Sequence, residues 1–118
     1  CTLSAEAIHG LLVRVDCNAF GVYRDDEKTV VGHGVYPTAA MFNHSCSPNA
    51  TVINFGQHVE VTTTCDVQSG DEISISYIDV HQCLNVRRDT LAKLYRFWCE
   101  CPRCQLELKT PRTARHRK

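Results

Sequence analysis

The run WCECPRCQ, residues 98–105, places cysteines at Cys99, Cys101 and Cys104, and this constrains the chain more than any other feature. A structural zinc ion is almost always held by four nitrogen or sulfur ligands, so a Cys-x-Cys-x-x-Cys run calls for one partner brought in by the fold. Five other cysteines, Cys1, Cys17, Cys46, Cys65 and Cys83, and six histidines are available. Cys17 follows the hydrophobic run GLLVRV and Cys65 ends the alternating VEVTTTC, so both read as ordinary core or strand residues. Cys46 differs: it sits in NHSCSPN, residues 43–49, where Asn, Ser and Pro crowd together as in a turn and leave the thiol projecting from a loop. Cys46 therefore leads as the fourth ligand, with His44 and Cys83 next.

Eight cysteines in 118 residues could instead form four disulfides, as in a small secreted protein, but the tight spacing of the cluster favours metal in a reducing compartment. The length allows one small domain with a modest core. There is no run of about 18 apolar residues and no signal-peptide pattern, so a membrane span and secretion are not expected. Cys1, in place of an initiator methionine, suggests a processed chain or a fragment. Net charge is zero but uneven, since Lys109, Arg112, Arg115, Arg117 and Lys118 put five of the 13 basic residues in the last ten positions. Residues 1–108 thus carry 8 basic against 13 acidic side chains, a net of minus five, which suits a basic protein partner. The tail could touch nucleic acid weakly or act as a nuclear address, although a solvated, disordered end is the simpler expectation.

Residues 4–15 space Ala5, Ile8, Leu11, Leu12 and Val15 along one helical face. Phe20 with Val22, and Val30 with Val31, predict two short strands around the polar turn RDDEK, after which Gly32, Gly34 and Pro37 break the pattern. TAAMFNHS, residues 38–45, predicts one or two helical turns. Residues 50–55 and 58–64 predict a hairpin about Gly56-Gln57, and residues 73–80 a half-buried strand with Ile73, Ile75 and Tyr77 on one face. Leu91, Leu94 and Trp98 support a helix over 86–98.

MFNHSCSPN, then SGDEISISYID, then RRDTLAKLYRFWCECPRC, in this order over roughly residues 15–106, resemble the second half of a SET-domain protein lysine methyltransferase of the SMYD branch. The resemblance implies a mostly β fold with short helices: a SET-type β-clip with a pseudoknot core, followed by a zinc-bound, cysteine-rich post-SET segment. It divides the chain into a C-terminal portion of the SET domain at 1–80, the post-SET helix and zinc segment at 81–108, and a basic tail at 109–118. It makes Cys46, Cys99, Cys101 and Cys104 the ligands of a structural zinc. Asn43 and His44 match the pair that meets S-adenosylmethionine, and Asn18 matches another cofactor-contacting asparagine. Tyr77 matches the tyrosine at the methyl-transfer centre, where it also meets the cofactor. Tyr95 and Phe97 match aromatic residues that wall the lysine channel and cover the cofactor, which makes Tyr77 and Tyr95 the catalytic pair.

The implied activity is methyl transfer from S-adenosylmethionine to the ε-amine of a lysine in a histone or another protein, in the nucleus, the cytoplasm or both. On the residues alone, a tyrosine in an alternating strand is ordinarily core and an asparagine in a turn is a turn former; register with the cysteine motif favours the functional reading. The Gly-x-Gly cofactor motif, the MYND zinc module and the C-terminal helical region of the branch are not visible, so a fragment or a degenerate domain is expected. Gly32-His33-Gly34 has the letters of that motif, but a turn or a close backbone contact explains it more simply. The alternative is a non-catalytic zinc-bound interaction module.

Overall fold

In the computed structural model, which describes residues 2–24 and 29–110, helix α1 (Ala5–Asn18) begins where Ser4 Oγ accepts a hydrogen bond from Ala7 N at 3.2 Å. The helix runs three residues beyond the expected end. It absorbs Cys17, expected as a core or strand residue after the hydrophobic run, and closes on Asn18, whose side-chain amide donates to Arg14 O at 2.7 Å. No α1 residue is buried, and Ile8, Leu11, Leu12 and Val15 are all exposed.

The described residues form two compact units, one from residues 2–24 and 29–43 with 49–75 and the other from 44–48 with 76–110. In the first, β1 (Ala19–Tyr23) pairs antiparallel with β2 (Val30–Val35), with Phe20 opposite Gly34 and a register shift between Val22 and Tyr23. Gly32 and Gly34 therefore lie inside a strand, contrary to the expected break. A Cβ at Gly34 would stand 3.0 Å from the ring of Tyr36, two residues on and on the same face, so glycine keeps this part of the strand open. Of the RDDEK turn, residues 25–28 lie outside the described residues. The helical turns expected over 38–45 reduce to one 3-10 turn (Ala39–Met41), followed by the two-residue strand β3 (Asn43–His44).

The expected hairpin is present as β4 (Ala50–Phe55) and β5 (His58–Thr63), with Phe55 opposite His58. Gly56, at φ +54°, takes the positive φ that a two-residue connection requires. Asn49 then ties the hairpin to the following segment: its backbone oxygen accepts from Thr64 N at 2.8 Å, while its side chain accepts from Ser74 N at 2.8 Å and donates to Glu72 O at 2.9 Å.

The strand expected over 73–80 shrinks to β6 (Ser74–Ile75). Beyond it, side chains satisfy the backbone in place of a ladder: Ser76 Oγ donates to Ile78 O at 2.7 Å, and Asp79 Oδ1 accepts from His81 N at 2.9 Å. Tyr77 thus lies in a bend rather than a strand.

The second unit contains α2 (Leu84–Tyr95) and α3 (Pro102–Lys109). Helix α2 ends three residues before the expected Trp98, because Arg96 adopts a left-handed conformation at φ 65°. Leu94 and Trp98 are exposed, and Arg88 lies 5.2 Å over the Trp98 ring. Helix α3, unanticipated from the sequence, opens with Pro102 at its first position, where the missing N–H is no loss. The core of this unit is Leu91 with Cys46, Cys99 and Cys104, all at most 2% exposed. Leu91→Ala is expected to cost the metal-loaded protein about 2–5 kcal/mol, because the truncated side chain leaves a cavity beside thiols that cannot collapse into it. Chemical denaturation monitored by α-helical signal measures this.

No helix among the described residues is long and apolar enough to cross a membrane. Residues 111–118, most of the basic tail, lie outside the described residues, and with them the expected disorder and nucleic-acid contact.

Candidate metal centre and the aromatic cluster beside it

A short loop and the end of a helix bring the four predicted ligands together. Ser45 Oγ accepts from Ser47 N at 3.1 Å, a side-chain turn that faces the Cys46 thiol inward, where it is 1% exposed. The left-handed Arg96 returns the chain from α2, so that Cys99, Cys101 and Cys104 approach Cys46 from the other side. All four sulfurs lie within 4.8 Å of one another, with Cys46 Sγ 3.8 Å from Cys99 Sγ and 3.5 Å from Cys104 Sγ.

A disulfide needs about 2.05 Å. A tetrahedral ion with bonds of about 2.3 Å to sulfur sets its ligands about 3.8 Å apart, so the spacing fits zinc. Burial pushes the Cys104 thiol up to about 12 and raises that of Cys99. At Cys101 burial is outweighed by hydrogen bonds from the backbone of Cys104 and Cys46, which bring its thiol down to about 6. A divalent cation is the group that lets four such sulfurs ionise together. The other ligand candidates stand elsewhere: Cys65 and Cys83 are exposed, Cys17 is a helix residue, and Cys1 lies outside the described residues.

His44 adjoins the sulfurs without joining them as a fifth ligand. Its Nδ1 accepts from Tyr77 N at 3.0 Å, so the neutral ring carries its proton on Nε2, which lies 3.3 Å from Cys46 Sγ. Burial first, and the Arg87 guanidinium second, lower its pKa from 6.5 to about 4. The ring therefore acts as a neutral strut between the thiol of Cys46 and the backbone of Tyr77.

Around that strut stand three more aromatic rings. Tyr77 lies 5.3 Å from His44 and 4.9 Å from Tyr95 between centroids, and Phe97 meets Tyr77 edge-on at 6.5 Å. Tyr95 Oη donates to Tyr77 O at 3.3 Å. Residues two apart in a helix point different ways; the left-handed Arg96 between Tyr95 and Phe97 is what turns both toward Tyr77. The cluster is half-buried. Burial and then Tyr95 raise the Tyr77 pKa, which keeps its hydroxyl protonated. Such a wall of ring faces suits a cation or an apolar chain. Asn18 and Asn43 belong to the first unit, where Asn18 closes α1 and Asn43 Nδ2 donates to Glu72 Oε1 at 2.7 Å.

Sequence reasoning missed the polar frame behind the sulfurs. Arg87 is 1% exposed; it donates to Gln82 O at 2.6 Å and to Glu107 at 2.9 Å, and Nη2 lies 3.7 Å from Cys104 Sγ. Arg103 donates to Glu107 at 2.8 Å and, through Nη1, to Cys46 O and Val80 O, both at 2.9 Å. The i,i+4 spacing of Arg87 from Leu91 and of Arg103 from Glu107 was the available signal.

Residues 12–78 match the SET domain family. Over 105 residues the chain is 35% identical to the N-lysine methyltransferase SMYD2-B of Xenopus laevis, covering 89% of this chain and 24% of that protein. It is 36% identical over 96 residues to the histone-lysine N-methyltransferase SMYD3 of Homo sapiens, covering 81% and 22%. A SET and MYND domain-containing protein of Dictyostelium discoideum is 35% identical over 99 residues, covering 84% and 25%. The chain thus spans about a quarter of the length of the curated relatives it matches.

Proposed function

We propose a function on the premise that the chain belongs to the SET-domain family, in its SMYD-like branch: it takes part in methyl transfer from S-adenosylmethionine to the ε-amine of a protein lysine, histone or non-histone. The observation that carries this reading is the contact of the aromatic cluster with the cysteine site through His44. Zinc held by Cys46, Cys99, Cys101 and Cys104 would supply rigidity, not reactivity. Bound S-adenosylmethionine supplies an electrophilic methyl group carried on a sulfonium.

The chain's residues then have separate tasks. Phe97 and Tyr77 offer ring faces to the sulfonium, and His44 is assigned a further cofactor contact. Because both ring nitrogens of His44 already have partners, its part in cofactor binding falls to its backbone. The attacking lysine must be neutral, although its free pKa is about 10.4. Apolar ring walls from Tyr95 and Phe97 disfavour the ammonium, and the protonated Tyr77 hydroxyl can orient the amine lone pair toward the methyl carbon. The products are a methylated amine and a neutral thioether, with one proton released to solvent.

Titrating S-adenosylmethionine into the zinc-loaded chain by calorimetry is expected to show saturable binding, weakened by Phe97→Ala. A folded, metal-loaded sample that gives no heat and no thermal stabilisation would overturn the cofactor assignment for this chain. The non-catalytic, zinc-bound interaction module would then be the better description.

A further inference from the structure

Four thiolates around one divalent cation leave a net charge of minus two, and here three of the four sulfurs are at most 2% exposed. Burying such an excess is costly unless an opposite charge is buried with it. Arg87 is the cation in that position. It projects from α2 and is itself 1% exposed, with Nη2 directed at both Cys104 Sγ and the Glu107 carboxylate.

Its hydrogen bonding is incomplete, since Arg87 Nε is buried with no partner among the described residues. A guanidinium serving only to clamp α2 to α3 would be poorly placed, because a clamp is cheaper to build from apolar groups. What the site gains from a charge at this point is electrostatic. Glu107 moderates it: one carboxylate holds Arg87 through Oε2 and Arg103 through Oε1, and Arg103 in turn holds the backbone oxygen of Cys46.

We propose that Arg87 is the charge-compensating residue of the metal centre, a buried cation that offsets the excess negative charge of the four thiolates through Cys104 Sγ and so sets the affinity for metal. The inference rests on the metal assignment made above. Arg87 touches no substrate; it is a positioning residue for the sulfurs, and Glu107 tunes it.

The test is a zinc competition titration against a chromophoric chelator, repeated with Co2+ to read the sulfur-to-metal charge-transfer band. Arg87→Met, similar in volume and uncharged, is expected to lower zinc affinity roughly 10-fold or more, the scale for losing a group behind a ligand. It should also move the Co2+ band to lower energy, because a thiolate stripped of its neighbouring cation gives up charge more readily. Arg87→Lys should recover part of the affinity. Glu107→Gln separates the electrostatic role from a clamp. It keeps a carbonyl acceptor for Arg87 at the Oε2 position, gives up the contact of Oε1 with Arg103, and removes a negative charge, so compensation predicts a rise of a few-fold, whereas a clamp predicts a fall or no change.

An Arg87→Met protein within twofold of the parent, with an unshifted band, overturns the proposal. So does Glu107→Gln that fails to raise affinity, and this second variant decides the matter if Arg87→Met does not fold. A parent chain that binds no metal at all would instead overturn the underlying zinc assignment.

Discussion

Replacing Cys46 with alanine is expected to lower zinc affinity by roughly 10²- to 10³-fold and to loosen the core around Leu91. Structural zinc in small tetrathiolate-type sites is held with an apparent free energy of about 10–16 kcal/mol at neutral pH, and that free energy is folding free energy. One ligand in four corresponds to about 2.5–4 kcal/mol, or two to three factors of ten. The loss should propagate, because Cys46 is in the same buried cluster as Leu91, Cys99 and Cys104 and is also the partner of His44 Nε2. Competition titration gives the affinity, and amide hydrogen exchange over α2 gives the loosening. Cys65→Ala and Cys83→Ala serve as controls, since both side chains are exposed and neither is among the clustered sulfurs. A Cys46→Ala protein that holds zinc within tenfold of the parent would remove Cys46 from the ligand set.

How much of this was legible depends on whether the deciding interaction was local. The hairpin over 50–63 was readable because alternation and a two-residue glycine connection are both contained in one short stretch. The strand expected over 73–80 was not. Its alternation is real, but Ser76 and Asp79 hydrogen-bond the nearby backbone and end the ladder after Ile75. Gly32 and Gly34 suggested a break by composition, whereas β1 opposite them keeps the segment extended. Helix α3 was hidden behind its own cysteines, since Pro102 and Cys104 read as ligand spacing before they read as a helix start.

The site divides in the same way. The turn residues of NHSCSPN announce a loop, so Cys46 could be ranked first as the ligand from context. The strut made by His44 could not be read, because its two partners are Cys46, in the same loop, and Tyr77, 33 residues away. Arg87 was the hardest. A charged residue in a helix is ordinarily solvated, and its i,i+4 relation to Leu91 was the one sign in the sequence that it turns toward the cysteine sulfurs.

Tyr77→Phe is expected to leave fold, metal content and cofactor affinity near those of the parent while lowering methyl transfer by about 10²-fold or more, the scale for losing a positioned polar group at a reacting centre. The substitution removes the hydroxyl and keeps the ring. The phenyl ring keeps its contacts with Tyr95 at 4.9 Å and Phe97 at 6.5 Å, and the backbone N–H that donates to His44 Nδ1 is untouched. The Tyr95 hydroxyl also keeps its acceptor, because that acceptor is the backbone oxygen of residue 77. These ring and backbone contacts are therefore retained while the hydroxyl is lost. The direction of the effect follows from the protonated state of the hydroxyl. Burial and Tyr95 keep it from ionising, so it can fix the direction of an amine lone pair but cannot serve as a phenolate base. Single-turnover methyl incorporation into a lysine peptide, with cofactor affinity measured in parallel by calorimetry, distinguishes the outcomes. Unchanged turnover would make Tyr77 a packing residue, and a fall in turnover matched by an equal fall in cofactor affinity would place its hydroxyl in cofactor binding instead of methyl transfer.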